Sequence, residues 1–323
     1  MEDQAARLRK LVENKTSYSE TKVEAISQSL QETLEQPSDV QMAQASQDDT
    51  SIAHTGARTI AITSGKGGVG KTNFTINLAI ALGKKGKKVI VIDADKGMAN
   101  VDVLLGTSSR QNMMDLLEEG VTLEDVLLHG PYGVHYISGG SGIEYAGDLS
   151  WEQQKKLFTQ LSPCDDLADF ILIDTGAGIG RNVLDFVVAA DEVILITTPE
   201  PTSLTDGYAV LKAYQQVAGT QPISIIVNRV YDVMESQEAA GKLIHTAQKF
   251  LQMKIEHLGY ICDDRHLVQA VRKQVPVIEA FPTAMSARCI QSIANSILTG
   301  EAQKVHWGWS GFLQKFFQPK NIF

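Results

Sequence analysis

The sequence predicts an α/β fold, a doubly wound and mostly parallel sheet with helices on both faces. Three observations predict it. From Arg58 onward, apolar runs of strand length alternate with stretches of helical periodicity, and repeated strand–helix–strand order argues a parallel sheet covered on both sides. Residues 65–72 read Gly-Lys-Gly-Gly-Val-Gly-Lys-Thr between an apolar run and a helical pattern, which is the setting a phosphate-binding loop requires. The length of 323 residues, 43% hydrophobic and 21% charged, suits one large domain with appendages.

Taken in order, residues 2–13 read as a short amphipathic helix with Ala5, Leu8, Leu11 and Val12 on one face. Residues 14–57 are polar, rich in Ser, Gln, Glu and Thr, and read as a tether. Strands are expected at 58–63, 88–93, 134–138, 169–174, 192–198, 222–228 and 257–261. Helices are expected at 71–84, 150–161, 202–217, 234–252 and 283–298. After a polar stretch at 299–306, Trp309, Phe312, Leu313, Phe316 and Phe317 fall on one helical face, followed by Pro319 and Lys320. The expected division is a helix at 1–15, a flexible acidic linker at 16–57, the main domain at 58–298, and a linker with an amphipathic helix at 299–323.

Composition bounds the function. A net charge of −9 argues against a general nucleic-acid binder. Cys164, Cys262 and Cys289 lie far apart without a C-x-x-C, which gives an iron–sulfur or zinc site little support and fits a reducing cytosol. Met1 leads into Glu2 and Asp3, so no secretory leader is expected. Without a run of 18 apolar residues, no membrane span is expected.

The chemistry begins at the loop. Gly65, Gly67, Gly68 and Gly70 let successive backbone N–H groups turn inward to phosphate oxygens, and the following helix adds its N-terminal partial charge. Lys71 is placed to reach the β- and γ-phosphates, and the Thr72 hydroxyl to ligate Mg²⁺. A second lysine, Lys66, stands at the start of the loop. Two further strands end in aspartate: Val89–Asp93 continues to Asp95, and Phe170–Asp174 runs into Thr175-Gly-Ala-Gly-Ile-Gly180. Acidic residues at the C-terminal ends of parallel strands belong beside the metal and γ-phosphate, and four apolar residues ending in Asp174 is a Walker B arrangement.

The run Lys66-Gly-Gly-Val-Gly-Lys-Thr72 resembles the deviant P-loop ATPases of the MinD/ParA family. The resemblance covers roughly residues 58–298 and implies ATP and Mg²⁺ as ligands and slow hydrolysis of ATP to ADP and phosphate. It implies that Lys66 crosses a homodimer interface onto the partner's phosphates, so that ATP binding and dimerisation become one event. Catalysis is then expected from Lys66, Lys71 and Asp95. Gly65, Lys66, Gly67, Gly68, Val69, Gly70, Lys71, Thr72 and Asn73 would form the nucleotide-binding run. Asp93-Ala-Asp95 through Asp102 is similar to the family's first switch; Asp95 would orient the attacking water, and Asp93 would lie near a metal held by Thr72 and Asp174. The glycine-rich sequel to Asp174 is similar to the second switch. Asn228 and Arg229 resemble the adenine-contacting strand end, and the loops holding Pro199 and Asp263 resemble those lining base and ribose.

The two ends narrow the resemblance. The C-terminal stripe resembles the membrane-targeting helix of the MinD branch, with Lys315 and Lys320 near lipid headgroups. Asp3-Gln-Ala-Ala-Arg-Leu-Arg9 resembles the activating helix of the FlhG (YlxH) family of flagellar number and placement regulators. That resemblance implies a helix, with Gln4 and Leu8, that stimulates the SRP-type GTPase FlhF, and contacts with flagellar switch-complex (C-ring) proteins. It also implies a cytoplasmic protein, peripheral on the inner face of the cell membrane when ATP-bound. The alternatives are a MinD-type division-site regulator and a ParA-type DNA-segregation ATPase. For the latter, Lys84, Lys85, Lys87 and Lys88 form the one evident basic run.

Overall fold

The structure is a computed structural model and describes residues 56–95, 100–105, 111–139, 149–217, 219–300 and 308–317. The expected activating helix with Gln4 and Leu8, most of the tether, and Lys320 lie outside the described residues.

Among the described residues, eight strands form one sheet: β1 (Arg58–Ser64), β2 (Val89–Ala94), β3 (Leu127–His129), β4 (Val134–Ile137), β5 (Phe170–Ala177), β6 (Glu192–Thr197), β7 (Ile223–Val230) and β8 (Ile255–Cys262). Their spatial order is β3-β4-β2-β5-β1-β6-β7-β8. All pairings are parallel except β3 with β4. The sequence did not reveal β3. Three residues are too few for a period to show, and β3 forms as an antiparallel edge on β4.

The helices are α1 (Lys71–Gly83), α2 (Asn100–Leu105), α3 (Leu123–Val126), α4 (Trp151–Gln160), α5 (Cys164–Leu167), α6 (Arg181–Ala189), α7 (Pro201–Gln216), α8 (Val233–Leu251), α9 (Arg265–Arg272), α10 (Val277–Ala280), α11 (Met285–Thr299) and α12 (Gly308–Phe317). None among the described residues is long and apolar enough to cross a membrane.

Strand alternation divides the interior into two cores. Ile60, Ile62, Ile194 and Ile196 face one side with residues of α1 and α11. Ala61, Val193 and Leu195 face the other with residues of α4, α6, α7, α8 and α12. Period-two side chains on a sheet covered on both faces give this result, and it explains why the strands read as continuous apolar runs. Helix α1 packs on the first of these faces of the sheet beside α11, with its residues buried from Phe74 to Gly83.

The terminal helix belongs to the second core. Trp309 and Phe312 are fully buried, and Leu313, Phe316 and Phe317 pack beside them. Phe158 of α4 is the centre of the cluster, with ring centroids 4.5 Å from Phe316, 5.7 Å from Phe317 and 6.2 Å from Phe312. Phe186 of α6 lies 5.3 Å from Phe316 and 6.2 Å from Phe312. The Trp309 indole donates to the Phe158 carbonyl at 3.2 Å. Asp165 Oδ1 accepts from Trp309 N at 2.7 Å and from Ala57 N at 2.8 Å, so one carboxylate ties the start of α12 to the chain entering β1. Lys315, expected at lipid headgroups, lies here 3.7 Å from the buried Asp191.

Candidate functional site

The site forms where β1, flanked by β5 and β6, delivers the chain into the phosphate loop. Two glycines are dictated by the local geometry. A Cβ on Gly65 would lie 2.2 Å from the Asp206 backbone, because the loop starts flush against α7. Gly70 has φ 101° at the N-cap of α1, a left-handed conformation that a Cβ strains; its Cβ would also meet Asn228 Nδ2 at 2.4 Å.

The loop is gripped from β7. Asn228 Nδ2 donates to the Val69 carbonyl at 2.6 Å, and its Oδ1 accepts from Arg229 N at 2.9 Å. Arg229 Nη2 donates to the Gly68 carbonyl at 2.8 Å. The residues expected at the adenine are therefore engaged here with the loop backbone. Pro199 is half-buried and Asp263 exposed, and Asp263 N donates to Val230 O at 2.8 Å. Neighbouring Asp264 is structural: it caps α9 through His266 N and holds Ser286 N and Oγ at 3.1 and 3.0 Å.

Lys71 is buried at the first position of α1, and Thr72 follows, half-buried. Asp93 and Asp174 are register partners on adjacent strands and both fully buried. Burial, and then Asp174 beside it, push the Asp93 carboxyl up to about 8. Burial raises Asp174 to about 6, against hydrogen bonding from Thr72 and the charge of Lys71. Asp93 Oδ1 accepts from Asp95 N at 3.1 Å and Oδ2 from Val101 N at 3.4 Å, which ties the start of α2 to this aspartate. Thr75 Oγ1, unmarked by the sequence motifs, lies 3.3 Å from Asp174 Oδ1. Asp174 Oδ2 is buried without a hydrogen-bond partner. A vacant buried carboxylate oxygen beside a second carboxylate and a threonine hydroxyl is a donor set for a hard divalent cation, so these residues fit Mg²⁺.

Asp95 directly follows β2, half-buried. Its Oδ1 is 3.1 Å from where a Gly176 Cβ would stand, so the two expected switch segments face each other across β2 and β5. The stretch Gly176–Gly180 leads directly into α6.

Lys66 points to its own chain. Its Nζ is 2.9 Å from Glu200 Oε2 and 3.1 Å from Thr202 Oγ1. The sequence marked the Pro199–Pro201 loop for the base and missed Glu200 as the partner of Lys66. Hydrogen bonding from Lys66 holds the exposed Glu200 carboxyl below its usual range.

The ParA family model, described as NUBPL iron-transfer P-loop NTPase, matches residues 56–298. The chain is 40% identical over 238 residues to the antiactivator FleN of Pseudomonas aeruginosa, covering 74% of this chain and 85% of that protein. It is 34% identical over 241 residues to the flagellum site-determining protein YlxH of Helicobacter pylori, covering 74% and 81%. The solved septum site-determining protein MinD of Pyrococcus horikoshii, complexed with Mg-ADP, is similar with a TM-score of 0.60 and 29% identity, over 77% of this chain and 100% of that one.

Proposed function

Since the chain belongs to the ParA family of P-loop ATPases, as a MinD/ParA-type ATPase regulator, we propose that it is an ATP-switched, dimerising and membrane-associated regulator of flagellar number and placement. The flagellar assignment is supported by its likeness to the protein named flagellum site-determining protein YlxH.

In this reading the phosphates of ATP lie on the N–H groups of residues 65–72, with Lys71 on the β- and γ-phosphates. Thr72, Asp174 and Asp93 would hold Mg²⁺, which would supply charge neutralisation at the phosphates. Asp95 orients the attacking water. Lys66 leaves Glu200 and Thr202 for the nucleotide of a second copy, so dimerisation costs one exposed ion pair, a small term.

The observation that carries the proposal is the path from nucleotide to tail. Gly176–Gly180 follows Asp174 and opens α6, and Phe186 of α6 packs on Phe312 and Phe316 of α12. A shift of that loop on sensing the γ-phosphate moves one wall of the groove that holds α12. Released, the apolar face of α12 is suited to a lipid interface, and two such helices in a dimer bind by avidity. The protein would then be cytoplasmic with ADP and peripheral on the inner membrane face with ATP. Gln4 and Leu8 would act on the GTPase FlhF, and the exposed ATPase surface on switch-complex proteins.

Liposome sedimentation with ATP or ADP, comparing the full chain with one ending at Gly300, tests the proposal. ATP-dependent pelleting of the full chain alone is expected; equal pelleting of both would remove the membrane step. Gel filtration of D95A with ATP should show a doubled mass that K66A lacks. A peptide of residues 1–20 should accelerate GTP hydrolysis by FlhF, and no acceleration would shift the assignment to the division-site class.

A further inference from the structure

Two cysteines that the sequence separates by helices α9 and α10 are brought together. Cys262 is the last residue of β8 and Cys289 lies in the second turn of α11; their Sγ atoms are 3.8 Å apart. A disulfide needs about 2.05 Å between sulfurs, so the two Sγ atoms must draw together from 3.8 Å to bond. The surrounding backbone is already held at that approach. Asp264, two residues beyond Cys262, takes both Ser286 N and Ser286 Oγ, one turn before Cys289. Cys262 is 8% exposed, whereas Cys289 is partly open to solvent.

We propose that Cys262 and Cys289 are a reversible modification site, an intrachain disulfide closed by a peroxide and reopened by a thiol. The chemistry balances in two steps. The Cys289 thiolate attacks hydrogen peroxide, forming Cys289–SOH and releasing hydroxide. Cys262 then displaces water from that sulfenic acid as the S–S bond forms, so that two thiols and one peroxide give a disulfide and two waters. Burial pushes the Cys262 thiol up to about 11, reinforced by Cys289, Asp264 and Asp232. The first attack therefore falls to the more open Cys289.

The location gives the bond a consequence. Cys262 is the register partner of Val230, immediately after Asn228 and Arg229, which grip the carbonyls of Val69 and Gly68. Asp263 N is tied to Val230 O. Stapling the end of β8 to α11 thus stiffens the strand pair that holds the phosphate loop.

The test treats the full chain with hydrogen peroxide, alkylates it, and maps peptides without reduction. A Cys262–Cys289 linked peptide is expected, with Cys164 left as the free thiol, full reversal by dithiothreitol, and no link in C289S. Cys289 accumulating as sulfinic acid, or linking to a second chain while Cys262 stays reduced, would overturn the proposal. Binding of a fluorescent ADP should shift several-fold on oxidation and recover on reduction; an unchanged affinity with the bond formed would refute the coupling to the phosphate loop.

Discussion

Removing the Asp165 carboxylate should loosen the terminal helix without touching its apolar face. Asp165 Oδ1 accepts from Trp309 N at 2.7 Å at the start of α12. A hydrogen bond to a charged group contributes about 1.5–3 kcal/mol. Asp165 is only half-buried, so the lower part of that range applies, and about 1.5 kcal/mol shifts the docking equilibrium roughly tenfold. The packing of Trp309 and Phe312 against Phe158 remains, so D165A should stay folded and mostly docked. Hydrogen exchange read over Gly308–Phe317 in ADP should quicken by about tenfold, and D165N, which keeps an accepting oxygen, should recover most of the protection. D165A should also pellet more with vesicles in ADP than the parent chain. Unchanged exchange over Gly308–Phe317 in D165A would refute the anchoring role of this carboxylate.

Three further outcomes are expected. D95A should lose about 10²-fold or more in turnover while still binding ATP; fluorescent-nucleotide titration beside phosphate release separates the two, and retained turnover would exclude Asp95 as the water-orienting group. The raised carboxyls of Asp93 and Asp174 predict a sign for pH. Without metal, both favour the protonated form, so their contribution to stability is complete below about 4 and is lost as pH rises through about 6 and about 8. Mg-ADP needs the ionised forms, so it should raise Tm more at high pH than at low, with proton uptake by buffer in calorimetry; D174N should flatten this dependence. G70A should cost roughly 1–3 kcal/mol by denaturant unfolding, since its φ and the Asn228 amide both oppose a Cβ, and a neutral result would mean that the loop relaxes.

The legible parts of the fold are those in which local pattern and tertiary role agree. Phe170-Ile-Leu-Ile-Asp174 is apolar on both faces because β5 lies between two covered strands, so a continuous apolar run could mean little else. The phosphate loop is legible because glycine spacing, a lysine and a threonine all answer to one ligand. Helix α6 was missed because Val183, Val187 and Val188 are β-branched and follow a glycine-rich stretch. The docking of α12 was not legible, since the stripe Trp309, Phe312, Phe316 suits a lipid interface and a protein groove alike, and the aromatic wall of Phe158 and Phe186 that receives it comes from segments distant in sequence. The partner of Lys66 and the Cys262–Cys289 approach are long-range facts that no local spacing encodes.

The antiparallel edge strand has a consequence for how molecules coexist. A broad sheet has two rims whose unpaired amides invite foreign strands. On one side that rim is β3, three residues long, and Pro131 follows it with no amide hydrogen to offer. A stray ribbon finds too few rungs there to climb, so crowded copies can jostle on this side without fusing rim to rim.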